Sequence, residues 1–107
     1  MSQGELNLSA VKAREESRLA AEFLAFHEAN PKVYAELVRL ARQAKARGRT
    51  KVGIGMLWEV LRWHFWLETN GADEFKLNNN HRSRYARLIM GLEADLLGVF
   101  ETRELRS

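Results

Sequence analysis

Residues 52–69, "VGIGMLWEVLRWHFWLET", limit the fold more than any other stretch. Ile54, Leu57, Leu61 and Phe65 recur at three- and four-residue steps and make one apolar stripe; Met56, Val60, Trp63 and Leu67 make a second. Only Gly55, Glu59, Arg62 and Trp66 remain as an outer edge. A helix apolar nearly all round, here spanning about 52–69, is expected to be central, with partners on several sides. The other segments must then supply those partners. A single proline and few β-branched residues argue against a sheet, and 107 residues suffice for one modest core. The expected fold is all-α, a compact single-domain bundle of four to five helices.

Residues 1–11 lack periodicity and are expected to form a flexible N-terminal arm, leaving 12–107 as the helical domain. Leu19, Phe23 and Phe26, with Ala20, Leu24 and His27 beside them, put a stripe on a helix ending near Ala29. Asn30-Pro31 then reads as an N-cap followed by the first helical position. The second helix is expected to reach about Arg47, with Tyr34, Leu37, Val38, Ala41 and Ala44 inward and Gly48 as its left-handed stop. Asn70-Gly71 ends the central helix, and residues 72–77 make a short extended connection. Asn78 to Asn80 launch a fourth helix with Tyr85, Leu88, Ile89 and Leu92 inward. A short fifth helix over about 94–100 should dock through Leu96, Leu97 and Phe100.

Charge is distributed in blocks. Residues 31–51 carry seven bases against Glu36 alone, and residues 76–90 carry four bases with no acid. The stretches around them are acidic on balance: 1–30 has three bases and five acids, 52–75 one and four, and 91–107 two and four. Such blocks form a cationic patch only if folding brings them together.

Catalytic constellations are missing from the sequence. There is no nucleophile elbow or phosphate loop, and without cysteine there is no disulfide or thiolate metal site. Ser83 and His81 are two apart and do not face each other on a helix. His64 and Glu68 could in principle share a metal, but the histidines at 27, 64 and 81 are scattered, and His27 and His64 read as packing residues. The expectation is a non-enzymatic protein with no catalytic residue, cofactor, metal or small-molecule substrate. No apolar run approaches the ~20 residues of a membrane span, and the first residues lack the features of a signal peptide. A cytoplasmic location is expected.

Binding remains. Arginine's forked donors bind phosphate, and arginine and asparagine pair with guanine and adenine edges. The candidate nucleic-acid surface is therefore Lys76, Asn79, His81, Arg82, Arg84 and Arg87, extended by Arg42, Arg47, Arg49 and Lys51. The separation of about ten residues between the third and fourth helices does not fit a helix-turn-helix, which wants three or four. The alternative is a protein-interaction module that binds a host protein or itself through Trp66, Arg62 and Glu59. Trp66 on the polar edge either caps the core or anchors a partner, tryptophan being enriched in binding hot spots.

The segments "FHEANPKVYAELVRLARQAKARG", "LWEVLRWHFWLET", "FKLNNNHRSRYARLIM" and "LLGVFETREL", in this order, resemble a group of small proteins encoded in bacteriophage and prophage genomes. The likeness covers most of the chain after about residue 25. It implies a soluble accessory protein of the host bacterial cytoplasm, in a group with no assigned function, and it transfers no catalytic or binding residue. Small phage accessory proteins often act on DNA or disable a host protein, so the likeness favours both binding readings equally.

Overall fold

The computed structural model describes residues 3–68 and 79–101. The fold is all-α. Among the described residues it has four α-helices, α1 (Gln3–Ala29), α2 (Pro31–Ala46), α3 (Ile54–Glu68) and α4 (Arg82–Leu92), with 3-10 turns at Asn79–His81 and Ala94–Leu96. None of these helices is long and apolar enough to cross a membrane. The chain divides into two compact units, Met1–Asn30 and Pro31–Ser107. The division falls at Asn30-Pro31, not near residue 11, and α1 already begins at Gln3, within the expected arm.

The first unit is α1. Phe23 is buried, and His27 stacks on it with ring centroids 6.0 Å apart and planes 4° from parallel. Leu24, expected on the same stripe, is exposed. Arg18 links Glu15 and Glu22 along the outer surface, pairs that contribute little individually in water. The Asn30 amide group donates to the Phe26 carbonyl at 3.0 Å, as does its backbone N–H at 2.9 Å. Asn30 therefore closes the end of α1, whose open carbonyls lie within its reach, and Pro31 gives α2 a start with no N–H to satisfy.

The second unit is built on α3, which packs against α2 and α4. Ile54, Leu57, Trp58, Leu61 and Phe65 form its buried face. Val33, Leu37, Val38, Leu40 and Ala41 of α2 and Tyr85, Ala86 and Ile89 of α4 complete the core. Trp58 is fully buried beside Tyr85, ring centroids 5.9 Å apart, and each such aromatic contributes on the order of 2 kcal/mol through lost apolar exposure. Lys32 lies over the Phe65 ring at 4.9 Å, placing a cation on its negative face.

The chain then closes on itself. Gly48 takes φ +99° after α2, the left-handed stop expected there. Val52 N–H donates to Val99 O at 2.8 Å and Glu101 N–H to Val52 O at 3.2 Å, a parallel bridge of Val52 with Phe100. Leu96, Val99 and Phe100 are buried by this return. The expected fifth helix is only the Ala94–Leu96 turn, because Gly98 adopts φ +78° and redirects the chain. Leu97 consequently points to solvent, 77% exposed. Leu92, expected on the inner stripe of α4, is also exposed. The extended connection over 72–77 lies outside the described residues.

The largest correction concerns α3. Its second stripe is not buried: Met56, Trp63 and Leu67 are exposed, and Val60 is half-covered. Two helices cover one side of α3 and leave the other in water. A direct check follows from this split. Trp58→Ala should lower unfolding free energy by about 3–5 kcal/mol in urea titrations, the cost of a large core deletion, whereas Trp63→Ala should cost under ~1 kcal/mol.

Candidate functional site

The cations predicted to bind nucleic acid do not stay together as a free surface. Arg42 reaches across to the residues after α4, its Nε 2.9 Å from Asp95 Oδ2 and its Nη2 2.8 Å from Glu93 Oε1. The hydrogen bonds from Arg42 hold the Asp95 carboxyl below the usual aspartate range. Glu93 also accepts from the Tyr34 hydroxyl at 2.8 Å, so α2 grips both acids at once. Lys45 donates its ammonium to the Asp95 carbonyl, and Lys51 donates to the Gly98 carbonyl at 2.8 Å. Carbonyls at the end of a helix and in a turn lack helical donors, and these lysines satisfy them. Arg42 on α2 and Lys51 beyond its end are thus structural ties to segment 93–98, not a phosphate grip.

The second basic block changes as well. His81 is buried, 5% exposed, and cannot present its ring to a polyanion. Arg84 is half-buried and has an interaction of its own. Asn79 is exposed, and its Oδ1 accepts from Arg62 Nη2 at 3.0 Å. The asparagines were expected to cap α4, but the N-cap is His81, with no side-chain cap bond. Lys76 lies outside the described residues. Of the predicted set, Arg47, Arg49, Arg82 and Arg87 make no ion pair among the described residues. Arg82 lies close to the start of α3, its Nη1 3.5 Å from where a Cβ on Gly55 would stand. Arg82 and Arg87 are five positions apart, about 140° around the helix, and do not form one stripe.

The second predicted group is brought together. Glu59, Arg62, Trp63 and Trp66 line a shallow open cleft of about 360 Å³ on the outer side of α3. Trp63 and Trp66 stack, centroids 5.4 Å apart and planes 22° apart, yet they are 57% and 53% exposed. Arg62 Nε is 3.2 Å from Glu59 Oε1, and the same guanidinium bonds Asn79, so it is held at the rim. Trp63 was missed as a surface residue because its stripe has the spacing of a buried face.

The histidines are separate. His64 is half-buried with Nδ1 3.9 Å from Glu36 Oε2, and bonding by Arg39 holds that glutamate below its ordinary value. Among the described residues no three His, Asp or Glu side chains converge as a metal site would need. Comparison with protein-family models, curated proteins and solved structures finds no match.

Both tyrosines carry a pH signature. Burial first, and then the hydrogen bond to Glu93, push Tyr34 up to about 12, and burial pushes Tyr85 up further. The unfolded chain loses these protons near pH 10 while the folded chain keeps them. Their contribution is therefore fully present below pH 10 and declines as pH rises toward 12. A tyrosinate absorbance titration should show both tyrosines still largely protonated at pH 10–11, with unfolding accompanying the later rise.

Proposed function

We propose that this is a non-enzymatic protein-interaction module whose docking surface is the outer face of α3. One observation supports it above all: Trp63 and Trp66 stand stacked in water over a cleft rimmed by Glu59 and Arg62. An apolar centre with a polar rim is the anatomy of a protein interface, and tryptophan is its most enriched anchor. Met56, Val60, Trp63 and Leu67 are spaced four, three and four residues apart, which suits a helix laid alongside. A partner of this kind agrees with the accessory role implied by the likeness to phage-encoded proteins.

Selection of binders from a displayed library of helical peptides tests this. Peptides with i, i+3/i+4, i+7 apolar spacing should emerge. Trp63→Ala and Trp66→Ala should each weaken them by about 2 kcal/mol, some thirtyfold, without loss of fold. Binders indifferent to both substitutions would reject the α3 face.

A second reading is favoured by the ion-pair pattern. Arg47, Arg49, Arg82 and Arg87 lie in a unit carrying fourteen bases against nine acids, and they could hold phosphates non-specifically. Random duplex DNA should then bind with an affinity that falls steeply from about 50 to 200 mM salt, and Arg82→Glu with Arg87→Glu should flatten that slope by roughly two log units. Weak binding that the double substitution leaves unchanged would eliminate this reading.

A further inference from the structure

We infer that the occupant of the α3 face is a second copy of this chain, its α3 lying antiparallel to the first. This rests on the reading of α3 as a docking face and goes on to name the partner. The seam itself carries the inference. Met56, Val60, Trp63 and Leu67 occupy the positions that repeat every three and four residues in paired helices. A 4-3-4 spacing reads the same from either end. About a twofold axis between Leu61 and Arg62, Met56 of one copy meets Leu67 of the other, and Val60 meets Trp63. The contents match as well as the spacing. Half-covered Val60 is the small residue of the seam and Trp63 the large one, so each copy's indole fills the space beside the other's valine. Such an interface is isologous: one patch serves both sides, as twofold dimers require.

The area is that of a modest dimer. Met56, Trp63, Trp66 and Leu67 are 52%, 57%, 53% and 48% exposed. Together they leave on the order of 400 Å² of apolar surface in water per copy. Pairing hides roughly 600 Å² from Met56, Trp63 and Leu67 of the two copies, and Val60, Trp66 and the other flanking side chains bring the total toward the 1,200 Å² lower limit of specific interfaces. No charged side chain occupies the seam, and Glu59 and Arg62 neutralise each other beside it, so like charges do not meet across the axis. Dissociation in the micromolar range is expected.

The test is sedimentation equilibrium of the full chain from about 1 to 300 μM, with cross-linking and dye binding on the same samples. Wild type should pass from monomer to dimer. Trp63→Glu and, independently, Leu67→Glu should weaken dimerisation at least tenfold with helicity intact, while Arg87→Glu should not. The chain contains no cysteine. Under mild oxidation a mixture of the Met56→Cys and Leu67→Cys variants should therefore cross-link, and neither variant should do so alone. Cross-linking of each variant with itself would overturn the antiparallel arrangement, and a dimer insensitive to both glutamate substitutions would place pairing elsewhere. A monomer at every concentration that binds anilinonaphthalene sulfonate in a Trp63-dependent manner would overturn self-pairing but leave α3 as a docking face. A monomer without such dye binding would overturn both.

Discussion

One helix has more apolar surface than its neighbours can cover. α2 and α4 cover Ile54, Leu57, Trp58, Leu61 and Phe65, and this contact holds the second unit together. The opposite side of the same helix carries Met56, Trp63, Trp66 and Leu67 into water. Among the described residues of the second unit, α2 and α4 reach only one side of α3. Large exposed apolar patches commonly mark interaction sites.

The cations serve a different end from the one their clustering suggests. Arg42, Lys45 and Lys51 bind the acids and open carbonyls of residues 93–98. That segment leads into Leu96, Val99 and Phe100 of the core, and the bridge of Phe100 with Val52 joins the return to the residues before α3. Arg42 and Lys45 of α2, with Lys51 after it, thereby fasten residues 93–98. Each exposed tie is weak, but together they fix the register in which three buried side chains return to the core. The unit still keeps a positive balance, and Arg47 and Arg49 at the turn after α2 remain without ion pairs among the described residues.

Features set by neighbours in sequence were legible before folding was considered. Pro31 and Gly48 bound α2 as their backbone preferences demand, and the buried stripe of α3 follows from its periodicity. Features set by distant residues were not. Arg42 meets carboxylates more than fifty positions away, so its neutralisation left no local trace. His81 is polar in composition yet buried. Trp63 has the spacing of a core residue, yet it faces water. The grouping of Trp66, Arg62 and Glu59 was legible because one helix carries all three.

The docking face exists only because α3 divides into a buried and an exposed side. The indole N–H signals of Trp58, Trp63 and Trp66 report on it directly by nuclear magnetic resonance. At low protein concentration Trp58 should exchange slowly with solvent, while Trp63 and Trp66 exchange fast and shift as concentration rises. Indoles of Trp63 and Trp66 as protected as that of Trp58 in the dilute protein would contradict the division and the docking face built on it.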